Sequence, residues 1–352
     1  MFESRQYESA RERAGLIDRS DRGKVAVAGS DHASFLHAML TNDIAALRPG
    51  TGCYAALLTP QGRMITDLRV VELGEMALLD MHGPAAKPFI ERMDQFIFSE
   101  DVRLGDLTEA FDEIRVVGPE AARVLADALR EASGEHDLPS AADLAGFAEF
   151  QCLRLPFRGS VVVLVATGDA GVAGFDVCTE RKDAAIVRRA MTEAGATPLS
   201  DETAEVLRVE AGVPAFPLDM DTETIPLEAG IEGRAISFTK GCYPGQEVII
   251  RILHRGHGRV ARRLVGLTVA GNEVPSRGDP LRAGEKEVGR VTSAVLSPTL
   301  GRPIALGYVH HDLAEPGTSV TIVHGDASFT AEVTRLPFVR RDRQGRQGKE
   351  GR

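Results

Sequence analysis

Apolar and polar positions along the chain follow two periods, which predict a mixture of strands and helices. Residues 24–28 alternate apolar and polar side chains, as a strand with one buried face does. Ser30-Asp31 then supplies a helix N-cap, and apolar side chains at 35, 36, 39 and 40 repeat at helical spacing behind it. Residues 54–58 and 64–71 flank Thr59-Pro60-Gln61-Gly62, a turn sequence that predicts a hairpin.

Further along, helices and strands continue to intersperse. Two helices are predicted from Pro84 and Pro119, since proline suits the first helical turn. A third is predicted from Ser200 to about residue 211, with Gly212 as its stop. Residues 161–165 form a β-branched run typical of a strand, and the polar stretch 131–145 is expected to be a surface connection.

The pattern changes near Arg259. Short alternating segments separated by turn signals follow, with little helical spacing, and predict a small antiparallel β-barrel. Residues 340–352 are polar and arginine-rich, which favours a disordered basic tail. The expected organisation is therefore a mixed α and β region over residues 1–258, a β-barrel over 259–339, and a disordered tail over 340–352.

Composition narrows the class of protein. The 352 residues carry 41 Lys and Arg against 51 Asp and Glu, a net charge of −10 that argues against bulk RNA binding. Four scattered cysteines with no C-x-x-C pair exclude a disulfide scaffold or zinc ribbon. No apolar run approaches the ~18–20 residues that a membrane span needs, and the start lacks a signal-peptide pattern, so a cytoplasmic protein is expected.

The most distinctive chemistry lies in residues 240–247, K-G-C-Y-P-G-Q-E. Two glycines and a proline predict a tight bend around Cys242. Lys240 would favour the reactive thiolate of Cys242, whereas Glu247 would oppose it, so the direction of the net pKa shift stays open. The alternative is a structural turn around an inert thiol.

Residues 251–263 hold five arginines and two histidines in an otherwise acidic chain. Arginine forks suit phosphate or carboxylate groups, so a polyglutamate chain, a nucleotide or RNA would fit Arg251 and Arg255. The alternative is a charged, solvated linker. His254 and His257 have no third ligand nearby, so no metal site is predicted.

Other candidates are weak when taken alone. Arg208 and Glu210 can act together only if their helix ends there, and surface charge is the simpler interpretation. Asp176 follows a glycine-rich stretch and could accept the N–H groups of a heterocycle, although a turn explains it equally well. Asp67 follows the turn of the predicted hairpin and is an equally weak candidate for a functional carboxylate when taken alone. Nucleophile-elbow, phosphate-loop, zinc-protease and dinucleotide motifs are absent from the sequence.

Together these segments resemble one family. The octad at 240–247 resembles the K-G-C-[FY]-x-G-Q-E signature of YgfZ-type folate-binding proteins, which are relatives of the glycine-cleavage T-protein (aminomethyltransferase). The resemblance covers about residues 10–340. The other segments that carry it, in order, are 15–20, 35–50, 207–212, 226–230 and 289–309.

The resemblance implies a three-lobed α+β, aminomethyltransferase-like fold with two interleaved lobes and a C-terminal antiparallel β-barrel. It implies a tetrahydrofolate site in a central channel, with Asp176 bound to the pterin and Arg208 and Glu210 lining the pocket. Arg251 and Arg255 are then candidates to hold the folate's polyglutamate tail.

Departures from the aminomethyltransferase pattern decide the expected function. Thr66-Asp67 stands where that pattern has two aspartates, and its R-T-G-Y-T-G-E stretch is missing at 166–171. Cys242, polarised by Lys240, is instead the mark of the branch associated with iron–sulfur cluster assembly or repair, including enzymes that modify tRNA. The expected function is thus a tetrahydrofolate-binding iron–sulfur factor with client or assembly proteins as partners.

Two alternatives remain. The first is a folate-dependent one-carbon transferase, an aminomethyltransferase or demethylase, in which Asp67 orients the folate amine. The second is an RNA- or protein-binding adaptor that uses the arginine run.

Overall fold

A computed structural model describes residues 4–133, 138–255 and 258–340, with the side chain of Arg255 left out. The strands, in chain order, are β1 (Gly15–Asp18), β2 (Arg22–Ala28), β3 (Thr51–Leu58), β4 (Met64–Glu72), β5 (Met76–His82), β6 (Arg103–Asp106), β7 (Phe111–Val117), β8 (Cys152–Phe157), β9 (Ser160–Thr167), β10 (Gly174–Glu180), β11 (Thr197–Pro198), β12 (Arg262–Val269), β13 (Pro280–Ala283), β14 (Lys286–Ser297), β15 (Arg302–His310), β16 (Ser319–His324) and β17 (Ala327–Thr334).

Helices alternate with these strands, and short 3-10 turns occur at Gly83–Ala85 and His311–Leu313. The helices, in chain order, are α1 (Ser4–Glu12), α2 (His32–Met39), α3 (Ala86–Asp94), α4 (Ala121–Ser133), α5 (Ala141–Ala145), α6 (Arg181–Glu193), α7 (Asp201–Glu210), α8 (Pro226–Ala229), α9 (Glu232–Ala235) and α10 (Gln246–Arg255). Across the described residues, none of them is long and apolar enough to cross a membrane.

The first lobe is a five-stranded antiparallel sheet in the order β3-β4-β5-β2-β6. Leu36, Phe89 and Met93 of α2 and α3 are buried with the apolar face of this sheet. The predicted hairpin is confirmed, because β3 and β4 pair on either side of residues 59–62, with Leu58 opposite Met64.

The second lobe is a six-stranded sheet in the order β11-β1-β7-β10-β9-β8, with α4 and α6 packed on it. Its pairs are antiparallel except β1 with β11, where Gly15 lies opposite Thr197 in parallel. Strand β1 thus belongs to the second lobe, whereas β2 directly after it belongs to the first. The turn 18–22 carries the chain from one sheet to the other, and the two lobes are interleaved.

The third lobe is a closed barrel in the order β12-β15-β14-β13-β16-β17, completed by pairing between β17 and β12. All of its pairs are antiparallel. Leu267, Leu281 and Ile322 are fully buried in its core. The predicted antiparallel C-terminal barrel is confirmed.

Helix α7 joins the second lobe to the barrel, since it contacts α1 and β1 on one side and the barrel strands β14 and β15 on the other. The Ser200 side chain accepts a hydrogen bond from the Thr203 N–H, as an N-cap does, so the predicted start is confirmed. Gly212 follows the helix with φ of +65°, the left-handed conformation that glycine adopts at little cost.

Two stretches differ from expectation. The predicted connection at 131–145 contains the end of α4 and all of α5, which Ser140 and Asp143 cap reciprocally. The arginine run 251–263 begins inside α10 and ends inside β12. The tail at 341–352 and His257 lie outside the described residues.

Candidate functional site

A cavity of about 630 Å³ lies where the two lobes and α7 meet. Its wall combines apolar side chains with charged ones of both signs, and it holds equal numbers of arginines and carboxylates. The ionisable residues on the wall are Asp18, Arg19, Asp21, Arg22, Asp67, Arg69, Arg115, Asp169, Asp201, Glu205, Arg208 and Arg234, with Tyr54 beside them.

Asp67 lines this wall, and one of its carboxylate oxygens has no hydrogen-bond partner among the described residues. It lies opposite Ala56 in the β3–β4 pair, so Tyr54, two residues earlier on β3, is its diagonal neighbour on the same face. The Tyr54 hydroxyl donates to Asp67 Oδ2 over 2.7 Å. The other oxygen, Oδ1, is buried and has no hydrogen-bond partner among the described residues. Burial and the Asp67 carboxylate raise the pKa of Tyr54 well above its usual value, so the tyrosine stays neutral and donates.

Arg69 ties the two sheets together behind the wall. Its Nη1 donates to Asp80 Oδ2 and to Asp176 Oδ2, each over 2.9 Å, and its Nη2 donates to Asp169. Asp80 lies directly opposite Arg69 in the β4–β5 pair, whereas Asp169 and Asp176 come from the second lobe. Burial lowers the pKa of Arg69, but these carboxylates outweigh it and hold that pKa well above its usual value.

Asp176 is fully engaged in this network. Arg115, its direct partner in the β7–β10 pair, donates to both of its oxygens over 2.5 and 2.8 Å. Asp176 is 4% exposed and is not among the residues that line the cavity. Arginines therefore occupy both oxygens of Asp176 in this structure, and its contact with a pterin stays a prediction.

Arg208 and Glu210 point to different parts of the molecule. Arg208 lines the cavity, donates to Asp219 Oδ2 over 2.6 Å, and pairs with Glu205. Glu210 is fully buried and accepts from Tyr7 and from Ser297 at the junction with the barrel. Only Arg208 of this pair reaches the cavity, and Glu210 joins lobes instead.

Comparison with known families decides what this architecture is. The GCVT N-terminal domain family matches residues 2–240, and the glycine cleavage T-protein C-terminal barrel domain matches residues 262–340. The chain belongs to the glycine-cleavage T-protein superfamily. The predicted aminomethyltransferase-like α+β fold is confirmed.

Curated members of the superfamily align along nearly the whole chain. An aminomethyltransferase of Rubrobacter xylanophilus is 32% identical over 343 residues, which is 97% of this chain and 88% of that protein. An aminomethyltransferase of Streptomyces avermitilis is also 32% identical, over 95% of this chain and 89% of that protein. The crystal structure of glycine cleavage system aminomethyltransferase T from Bartonella henselae has a TM-score of 0.84 at 24% identity, and covers 95% of this chain and 89% of that chain.

Within this T-protein fold, Lys240 is bound to backbone groups and not to the neighbouring thiol. Its Nζ donates to the carbonyl oxygens of His37 and, over 2.6 Å, of Leu40. Those groups lie at the C-terminus of α2, where helix carbonyl groups lack intrahelical partners. Burial lowers the pKa of Lys240 to about 8, against the opposing effect of Asp43.

Cys242 is exposed, and it is not among the residues that line the cavity. The octad around it packs on the hairpin of the first lobe. Gly245 has φ of +84° and approaches that turn so closely that a Cβ would lie 2.5 Å from the Thr59 carbonyl oxygen. Tyr243 is buried in the apolar cluster beneath. The structure thus gives this motif a packing role and places the thiol at the surface.

Arg251 is exposed on α10 and does not line the cavity. Arg255 is the last residue of that helix, and its side chain lies outside the described part of the chain. Contact between these arginines and a polyglutamate tail stays a prediction.

Within the described ranges, one group of side chains could hold a metal ion. His310, His311 and Asp312 bring their ligand atoms within 4.8 Å of one another on the barrel. Asp312 is exposed, and its carboxylate already pairs with the two imidazoles at 3.4 and 3.0 Å. None of the three residues lines the central cavity, so this cluster is separate from the candidate site.

Sequence reasoning missed Arg19, Tyr54, Arg69 and Arg234 on the wall. Arg69 had a detectable signal, since it interrupts the apolar run L-R-V-V of β4, and Arg115 interrupts I-R-V-V of β7 in the same way. A charge within a buried strand needs a partner, so these two positions indicate an internal ion-pair network.

Proposed function

We propose that this T-protein superfamily member binds a reduced folate in the central cavity and transfers a one-carbon unit to or from it. The observation that carries the proposal is the buried, unpartnered Oδ1 of Asp67 at the cavity wall. A buried acceptor without a donor is costly, and a ligand N–H would satisfy it.

The cavity suits a ligand of that size and polarity. Its volume of about 630 Å³ falls within the range of roughly 300–1,000 Å³ typical of small-molecule sites. Tetrahydrofolate offers ring N–H donors for a carboxylate and carboxylates for an arginine. The curated relatives that match nearly the full chain carry the name aminomethyltransferase.

Asp67 is placed to manage the proton of the reacting amine. When a folate nitrogen takes up a one-carbon unit it loses an N–H proton, and the departing amine gains one. Tyr54 fixes Oδ2, so Oδ1 is oriented as the acceptor. Thr66, beside it, is fully buried and donates to the Asp67 carbonyl oxygen. Because threonine stands where the aminomethyltransferase pattern has a second aspartate, Asp67 is the single carboxylate at this point of the chain.

The test combines calorimetry and turnover. Purified protein is titrated with tetrahydrofolate. Formation of methylenetetrahydrofolate is followed with an aminomethyl donor, and formation of methyltetrahydrofolate with a methylamine donor. Asp67→Asn is expected to lower turnover at least about a hundredfold, the scale of lost acid–base catalysis. The matched control is Asp94→Asn, an exposed aspartate at the end of α3. Absence of folate binding by the wild type, or full turnover by Asp67→Asn, would reject the proposal.

A second candidate function rests on the exposure of Cys242, since Cys152 and Cys178 are buried and Cys53 is half-buried. The octad resembles the YgfZ-type signature, and a folate-dependent role in iron–sulfur cluster assembly or repair, including clients that modify tRNA, would act through this surface thiol. A single cysteine cannot hold a cluster alone, so a partner would supply further ligands. Cys242→Ser should then abolish rescue of cluster-enzyme activity while sparing one-carbon transfer; rescue by Cys242→Ser would reject this candidate.

A further inference from the structure

Arg19 differs from the other arginines of the cavity wall. It lies in the turn 18–22 between the two sheets, and its backbone is fixed: its N–H donates to the Glu113 carbonyl oxygen and its own carbonyl accepts from Arg22, each over 3.0 Å. Each of the other wall arginines described donates a side-chain hydrogen bond to a carboxylate; they are Arg22, Arg69, Arg115, Arg208 and Arg234. Arg19 makes none within the described residues, and its Nε is buried without a partner.

The nearest carboxylate is already committed elsewhere. Glu113 Oε1 lies 3.5 Å from Arg19 Nε, and neither atom makes a hydrogen bond within the described chain. The other oxygen of Glu113 is 2.9 Å from Nζ of Lys24, a lysine that is 1% exposed. Because Lys24 is buried, it needs this carboxylate more than Arg19 does.

The ion-pair network that includes Arg19 holds one more cation than carboxylate. Five cations of this network (Arg19, Arg22, Lys24, Arg69 and Arg115) face four carboxylates (Asp80, Glu113, Asp169 and Asp176). Arg234 joins through Asp169 and brings Glu149 with it, so the excess is unchanged. Burial, and then the neighbouring Arg115 and Arg22, lower the pKa of Arg19 to about 10, which still leaves it charged at neutral pH.

We infer that Arg19 anchors the carboxylate of a ligand bound in the central cavity. A guanidinium fork and a carboxylate form paired, charge-assisted hydrogen bonds, which would supply both the missing acceptor and the missing negative charge. This inference rests on the proposed function for its two sources: the glutamate of the folate itself, or the carboxylate of a one-carbon donor derived from an amino acid.

The experiment compares wild type, Arg19→Gln and Arg19→Lys by calorimetry. The probes are tetrahydrofolate, 6-methyltetrahydropterin, which has no carboxylate, N,N-dimethylglycine added to folate-saturated protein, and glutarate alone. Arg63→Gln is the matched control, because Arg63 is an exposed arginine paired with Glu223 away from the cavity wall. Arg19→Lys keeps the charge without the guanidinium fork and should bind the carboxylate probes with intermediate affinity. If circular dichroism shows that Arg19→Gln is misfolded, Arg19→Lys is compared with wild type instead.

The outcomes distinguish the folate glutamate from the carboxylate of the one-carbon donor, and they test the inference itself. If the folate glutamate is bound, Arg19→Gln weakens tetrahydrofolate binding about tenfold and leaves 6-methyltetrahydropterin unchanged. If the donor is bound, only the affinity for N,N-dimethylglycine falls. Equal affinities of Arg19→Gln and wild type for every carboxylate probe would overturn the inference and leave the proposed function standing. If the wild type ignores both pterins, the proposed function fails, and a tenfold preference of wild type over Arg19→Gln for glutarate would alone sustain the inference.

Discussion

Arg69 of β4 and Asp176 of β10 form a buried ion pair between the two lobes, with 2.9 Å between Nη1 and Oδ2. The two residues are 107 positions apart in the chain, and Arg115 binds the same carboxylate from β7. These buried charges help to hold the two lobes together beside an apolar cluster to which Val71 of β4 and Val163 of β9 belong. Removal of one charged partner leaves the others uncompensated.

Asp176→Asn should mainly reduce stability. Loss of the carboxylate leaves Arg69 and Arg115 with unbalanced buried charge, and breaking a buried pair in this way costs about 3–5 kcal/mol. Urea unfolding measures the effect, with the exposed Asp94→Asn expected within ~0.5 kcal/mol of wild type. If Asp176→Asn were as stable as wild type but had lost folate binding, Asp176 would be shown to bind the pterin.

Acid should unfold the protein through the same network. Burial raises the pKa of Asp80, Asp169 and Asp176, but their arginine and lysine partners outweigh it and hold each pKa below its usual value. The stability they contribute is therefore complete above the unfolded pKa of about 3.9 and is lost as the pH falls through the lower folded values.

The free energy of unfolding, measured between pH 7 and pH 2.5, should change little down to about pH 5 and drop steeply below about pH 4. Asp169→Asn should be less stable at neutral pH but lose less stability on acidification. If the free energy of unfolding of Asp169→Asn fell as steeply with pH as that of wild type, Asp169 would not contribute to the acid sensitivity.

Cys242 should react with iodoacetamide before the other cysteines. Burial raises the pKa of Cys53 and Cys178 to about 12 and that of Cys152 to about 11, whereas Cys242 is exposed. Mass spectrometry of timed samples at pH 8 identifies the modified site. Lys240→Met should change the rate at Cys242 less than twofold, because the ammonium group is bound to carbonyls of α2. If alkylation of Cys242 were ten times slower in Lys240→Met, Lys240 would be shown to activate the thiol.

Gly245→Ala should destabilise the junction between the octad and the hairpin. The new Cβ would lie 2.5 Å from the Thr59 carbonyl oxygen, and φ of +84° disfavours any side chain. A loss above about 1 kcal/mol is expected from the conformation alone. Gly241→Ala is the control, since no atom of the described chain lies within 4 Å of the place that its Cβ would take. Equal stability of the two variants would exclude the close approach.

The strands at 22–28 and 160–167, the hairpin and the barrel were predictable because their signals are local. Alternation, Pro–Gly turns and helix caps act within a few residues, and the observed start of α7 at Ser200 and Asp201 follows them closely. The connection at 131–145 was missed because its small and polar residues hide a short helix that Ser140 caps.

The partners of the charged residues were not predictable from sequence spacing. Lys240 and Cys242 are two residues apart, yet the lysine binds carbonyl groups about 200 positions away at the end of α2. Asp67 and Arg208 do reach the cavity wall, whereas Asp176 and Glu210 are used by distant groups. A charged side chain in a buried strand predicts that a counter-ion exists but does not identify it.

The parallel pairing of Gly15 with Thr197 has a consequence for biosynthesis. The first strand leaves the ribosome long before its neighbour in the sheet has been translated, a delay of roughly ten to forty seconds at ordinary elongation rates. The antiparallel pairing of β1 with β7 can form earlier, so the sheet of the second lobe is completed on this side only late in synthesis.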